Sequence, residues 1–192
     1  MCNSVEIPEF KKLRRAYGFD EVAIVPGAMT VNPDQTNVSL KIDKFTFTIP
    51  FLASSLDAVV SPAFAISLDK MGGLAVLNLE GIYTRHDDPE SIIKEITQAP
   101  QEKATSLLQK IYSTPIKENL IGKMVETIKN CGANCAISLT PANTKRLAPI
   151  AVEAGADLLF IQSTVTTARH ISKSETGLNI SDICSTVKIP VV

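Results

Sequence analysis

Small polar side chains stand at the ends of three apolar runs. Ser54, Ser55 and Asp57 follow Phe51-Leu52-Ala53. Asn78 and Glu80 follow the run from Leu74 to Leu77, and Gln162, Ser163 and Thr164 follow Leu158-Leu159-Phe160-Ile161. Hydroxyls and amides so placed can hydrogen-bond a phosphate, a sugar or a ring, and so grip a polar ligand. The same residue types also close turns and cap helices. Each cluster therefore has two readings, a ligand-holding rim or local turn chemistry. Asp57 and Glu80 follow neighbouring runs, but two rim carboxylates do not by themselves make an acid–base pair. His170, beside Arg169, reads as a surface residue.

The four cysteines are Cys2, Cys131, Cys135 and Cys184. Cys131 and Cys135 are four apart, with no second pair and no nearby histidine, which argues against a zinc site. Cys135 and Cys184 fall in or beside apolar elements and read as buried thiols rather than nucleophiles. No glycine-rich phosphate loop is present. Gly72-Gly73 reads as a helix stop followed by a tight turn.

The elements that must position these residues are legible from periodicity. Val38 to Pro50 alternates apolar and polar residues, the period of a strand or hairpin with one wet face. From Phe51 onward the strands become short continuous apolar runs: PFLAS, GLAVLNL, NCAISL, ADLLFIQS and a last run beginning IPVV. Helical patterns separate them. One starts near Pro62 and stops at Gly72, one starts at Asp87 or Asp88, and one ends at Gly132. Residues 99–115 are polar and partly helical, a further helix runs from Thr140 to Gly155, and the last covers NISDICSTVK. Alternating strands and helices with two-sided apolar strands predict a parallel sheet covered by helices. A doubly wound sheet and a (β/α)8 barrel both fit, and both place function at the carboxyl ends of the strands. About five strands are present where a barrel needs eight, and the chain stops inside an apolar run, so it is expected to be a fragment. An open barrel with exposed strand edges is expected to be inactive alone and poorly soluble.

Composition narrows the class. The chain has 192 residues, 45% hydrophobic and 20% charged, a net charge of −1 and an isoelectric point near 6.1. That balance fits a globular protein and argues against nucleic acid as a partner. Neither a signal peptide nor an apolar run long enough to span a membrane is present, so a cytoplasmic protein is expected.

Several stretches together resemble the IMP dehydrogenase/GMP reductase family of (β/α)8 TIM barrels. FDEVAIVPG resembles its entry motif, IPFLASSLDAVVSPAFAISLDKMGGLAVLN its first βαβ unit, and AVEAGADLLFIQST its fourth strand. The resemblance covers the chain almost end to end. It implies an N-terminal segment with a hairpin over residues 1–50 and the first part of a barrel over 51–192. The stretch 98–118 lies where regulatory CBS domains are inserted in the family and is too short to hold them. The implied substrate is a purine nucleotide, held by Ser54, Ser55, Leu56, Asp57 and Asn78, with Leu56 beside the purine. The implied cofactor, NAD or NADP, falls to Gln162, Ser163 and Thr164. Gln162 replaces the family's aspartate, Leu56 a methionine, and Asn78 a histidine. The family's catalytic cysteine loop is absent from this chain and is expected beyond Val192, together with any potassium-type monovalent cation it binds. The implied reaction is IMP dehydrogenation, with GMP reduction and a non-catalytic nucleotide-binding homologue as alternatives. The implied full-length assembly is a homotetramer or larger.

Overall fold

A computed structural model describes residues 14–163 and 178–192. The chain divides into two compact units, Met1–Asn37 and Val38–Val192. The described part of the first unit carries two 3-10 turns, Phe19–Glu21 and Pro33–Gln35.

The second unit opens with an antiparallel hairpin of β1 (Leu40–Ile42) and β2 (Phe45–Phe47). It turns at Asp43, whose φ of 52° lies in the left-handed region that aspartate tolerates. Four parallel strands follow: β3 (Leu52–Ala53), β4 (Leu74–Asn78), β5 (Ala136–Leu139) and β6 (Leu158–Ile161). They lie in the order β3-β4-β5-β6. The terminal apolar run joins next in line, with a parallel bridge from Leu159 to Val191. Strand order thus follows chain order without the reversal that defines a doubly wound sheet.

The helices are α1 (Pro62–Lys70), α2 (Ile82–Arg85), α3 (Pro89–Gln98), α4 (Gln101–Ser113), α5 (Glu118–Lys129), α6 (Pro141–Glu153) and α7 (Ile180–Thr186). Three of them have proline in the first turn, where its missing N–H costs nothing. Ser61 caps α1 by accepting from Phe64 N–H at 3.1 Å, and Asp88 caps α3 by accepting from Ser91 N–H at 3.1 Å. Gly72, at φ 91°, ends the first βα unit. A side chain there would strike Thr48 of the hairpin exit.

The strand parity sorts the core into two clusters. Ala75, Leu77, Leu79, Ile137, Leu139, Leu159 and Ile161 face outward and pack under α1, α5 and α6 against Ala65, Ile121, Val125, Ile128, Leu147 and Ala151. Leu74, Val76, Ala136 and Leu158 face the opposite way and pack with Phe47 of the hairpin. The hairpin therefore covers the amino-terminal end of the inner face. A strand buried on both sides carries no polar alternation, which is why these runs read as continuous.

Two expectations need correction. The first strand is shorter than PFLAS suggests: only Leu52 and Ala53 pair, and Phe51 is 68% exposed. β3 is the edge of the described sheet, with one neighbour instead of two. Cys184 is exposed, as is Cys131, and only Cys135 of the described cysteines is buried. On the short helix α7 it is Ile183 that turns to the core. The stretch 99–115, expected to be partly helical, is helical from Gln101 to Ser113. No helix among the described residues is long and apolar enough to cross a membrane.

Candidate functional site at the carboxyl ends of the strands

Along each inward-facing row, residue type changes from apolar to polar toward the strand's carboxyl end. In β4 the row runs Leu74, Val76, Asn78. In β5 it runs Ala136, Ser138, and in β6 Leu158, Phe160, with Gln162 next. Asn78 pairs in register with Ser138, so the polar positions of β4 and β5 lie side by side. The lower layer is an apolar plug, and the upper layer offers amides and hydroxyls to whatever occupies the mouth.

That mouth is a cleft of about 460 Å³ lined by Ser55, Leu56, Asn78, Ser138, Gln162 and Ser163, with Glu80 and Thr140 at its side. A second cleft of about 480 Å³ lies deeper on the inner face, where Ser54 joins Val76 and Phe160; Ser55, Gln162 and Ser163 border both. The Ser55 hydroxyl donates to Gln162 Oε1. β4 and β5 lie between their strands, so a flat sheet would hold those strands roughly 14 Å apart, at about 4.8 Å per spacing. The sheet must curl inward for these side chains to meet.

The structure thus brings together at one mouth Ser55, Leu56, Asn78, Gln162 and Ser163, with Ser54 just below. Thr164 and His170 lie outside the described residues. Asp57 has another task. Its carboxylate accepts from Ile82 N–H at 2.8 Å and from the Tyr112 hydroxyl at 2.6 Å, with Asn78 Nδ2 at 3.5 Å. It does not cap α1, as a local turn reading would have it; Ser61 does. Burial, followed by the bond to Asp57 and its charge, pushes the Tyr112 phenol well above its ordinary pKa, so it stays a donor. Gly81 is required by this packing, since a Cβ there would lie 1.9 Å from Asp57 Oδ1.

Glu80 is likewise committed. Its carboxylate accepts from Thr140 N–H at 2.5 Å and from Asn143 Nδ2 at 2.7 Å, at the start of α6. Thr140 is the N-cap but its own side chain makes no cap bond. The two rim carboxylates are therefore struts for neighbouring loops and not an acid–base pair. Asn78 Oδ1 accepts from Glu80 N–H at 2.9 Å, which aims the Asn78 amide.

Reading the sequence missed Ser138, Tyr112 and the capping role of Glu80. Ser138 left a signal: it is the one polar residue inside Ala136–Leu139, and only 2% of it is exposed.

The strand-end cleft on a curled parallel sheet defines the class: an α/β protein with a polar cleft at the carboxyl ends of its strands. Residues 16–186 match the profile of the IMP dehydrogenase / GMP reductase domain. An uncharacterized oxidoreductase of Mycobacterium tuberculosis (strain H37Rv) is 37% identical over 193 residues, covering 98% of this chain and 52% of that protein. Inosine-5'-monophosphate dehydrogenase of Methanocaldococcus jannaschii is 37% identical over 65 residues, 34% of this chain and 13% of that protein. The crystal structure of an IMP dehydrogenase/GMP reductase-like protein from Corynebacterium glutamicum superimposes with a TM-score of 0.84 at 31% identity, covering 97% of this chain and 50% of that one. The chain belongs to the IMP dehydrogenase/GMP reductase family. It spans about half the length of the mycobacterial relative.

Proposed function

We propose that this chain supplies the nucleotide-holding mouth of a (β/α)8-barrel oxidoreductase that takes IMP to XMP with NAD as hydride acceptor. The observation that carries the reading is the convergence of Ser55, Asn78, Gln162 and Ser163 from strands β3, β4 and β6 on one cleft. These groups are neutral donors and acceptors, the chemistry that matches purine edges, ribose hydroxyls and a carboxamide. Among the described residues, none that lines the two inner clefts is lysine or arginine. A purine or a nicotinamide–ribose unit thus fits the described part of this wall.

Bound nicotinamide supplies a ring that accepts or returns a hydride. The residues of this chain bind and orient. Asn78, held by the Glu80 N–H, presents its amide to the cleft. Gln162 is steadied by Ser55. Leu56, half exposed at the lip, offers an apolar surface to a planar base. Val76 and Phe160 beneath give the deeper cleft an apolar floor.

The test is direct. Protein carrying this chain is titrated with IMP and GMP, then assayed for NADH formation with IMP plus NAD and for NADPH consumption with GMP plus NADPH. IMP-dependent NADH formation supports the proposal. GMP-dependent NADPH loss replaces it with the reductase reaction, which gives IMP and ammonia. Binding without turnover assigns a non-catalytic nucleotide-binding role, and absence of binding overturns the reading.

A further inference from the structure

Residues 86–117 leave the fold after α2 and return to the same place. Lys117 N–H donates to Thr84 C=O at 2.8 Å. The Arg85 guanidinium donates to Glu80 C=O at 2.8 Å and to Thr114 C=O, and His86 Nε2 lies 3.2 Å from Ile111 C=O. Asp87 pairs with Lys117. The carboxyl end of α4 is therefore clamped to α2, directly beside the end of β4. The other half of the excursion is different: α3 has no buried residue.

Tyr112, next to the last residue of α4, reaches beyond the clamp to Asp57, 55 positions away in sequence. Asp57 immediately follows Ser54, Ser55 and Leu56, which line the clefts. The loop's internal bonds are short-range, Leu56 N–H to Ser54 C=O at 2.8 Å and Val59 N–H to Leu56 C=O at 2.8 Å. Such turns fix local shape but not position relative to β4. The β3 pairing, the Ser55–Gln162 bond and the buried Val60 hold the loop's ends and inner side, and the Asp57 carboxylate ties it to α2 and α4, bonded to Ile82 N–H on one side and to Tyr112 on the other.

We propose that Tyr112 is a positioning residue for the nucleotide cleft: through Asp57 it sets where the α3–α4 excursion holds the loop carrying Ser54, Ser55 and Leu56. The inference rests on the proposed nucleotide site and identifies α4 as the element whose placement is felt there. Tyr112 touches no ligand in this scheme. The bond ends on a carboxylate and is therefore stronger than one between neutral groups, while Arg85, His86 and the Lys117 N–H still hold the end of α4, so losing it loosens the loop without unfolding the helix.

The experiment compares full-chain wild type, Tyr112→Phe, Asp57→Ala and the double variant. Three quantities are read: melting temperature, hydrogen exchange at the amides of Leu56, Val59 and Val60, and IMP affinity by titration. Tyr112→Phe is expected to melt within a few degrees of wild type, to exchange faster at those amides, and to bind IMP about fivefold more weakly, the scale of one hydrogen bond. In the Asp57→Ala background the same change should add nothing further. Faster exchange with unchanged IMP affinity would make Tyr112 a structural residue only and overturn the proposal. So would an equal effect of Tyr112→Phe with and without Asp57. If wild type binds neither IMP nor GMP, the functional reading falls by itself. Loop exchange then decides the link, and equal protection in Tyr112→Phe overturns it.

Discussion

Ser55 and Gln162 meet across the mouth of the sheet although β4 and β5 lie between the strands they end. Their contact depends on curvature and also holds it. Ser55 is 8% exposed but Gln162 is exposed, so removing the Ser55 hydroxyl breaks the link across the mouth while water can still reach the Gln162 oxygen. Ser55→Ala should cost about 1 kcal/mol in denaturant unfolding, the usual net worth of such a bond. It should weaken nucleotide binding more than Ser163→Ala, because two residues lose their alignment rather than one. Equal stability of Ser55→Ala and wild type would show that the curl is held by core packing alone.

Glu80 joins the end of β4 to the start of α6, two elements with β5 between them. Removing its carboxylate leaves Thr140 N–H uncapped at a 13-residue helix, and Asn143 loses an acceptor. Glu80→Ala should therefore destabilise by about 1–2 kcal/mol, the range of a lost N-cap. Glu80→Gln keeps an acceptor and should lose less. Chemical denaturation of the three proteins measures both differences.

These two links mark where sequence reading stops. Strand and helix positions follow from local pattern: the continuous runs at Leu74–Asn78 and Leu158–Ile161, Pro62 and Pro141 in first turns, Gly72 and Gly155 past helix ends. The candidate rim residues were legible for the same reason, as polar side chains just beyond buried strands. α2 was not, because a single turn at Ile82–Arg85 is too short to show a period. The roles of Asp57 and Glu80 were not legible either. Their partners, Tyr112 and Thr140, lie 55 and 60 positions away, and no local spacing brings them together. Cys184 misled because a seven-residue helix in a sequence of mixed polarity does not declare its inner face.

Cys135 makes pH a probe of the core. Burial, and then the Asp157 carboxylate, push its thiol up to about 12 against the opposing pull of Lys129. Asp157 accepts from Cys135 N–H at 2.8 Å and from Lys129 Nζ at 2.6 Å, so carboxylate and thiol stay neighbours. The folded state keeps the thiol proton while the unfolded chain releases it near 9. Stability from this group is full below about pH 9 and is lost as pH rises toward 12. The raised Tyr112 phenol acts in the same direction. Cys135→Ala should flatten the alkaline loss seen in unfolding at pH 8, 9.5 and 11. In the native protein at pH 8, alkylation should mark Cys131 and Cys184 and spare Cys135, read by peptide mass.

Gly81 tests the Asp57 strut from the other side. A methyl group at this position falls within the Asp57 carboxylate, 1.9 Å from Oδ1 and 2.4 Å from Oδ2. A free aspartate would rotate away at little cost, but this one is tied to Ile82 N–H and Tyr112 and must break those bonds to move. Gly81→Ala should therefore destabilise by about 1–3 kcal/mol, as overpacking does. The same methyl should cost much less once Asp57 is alanine, because the obstructing carboxylate is gone. A double-mutant cycle in denaturant reads this coupling, which should be of about 1 kcal/mol or more for residues in contact. Strict additivity would show that the Asp57 side chain yields freely and that its bonds to α2 and α4 hold little.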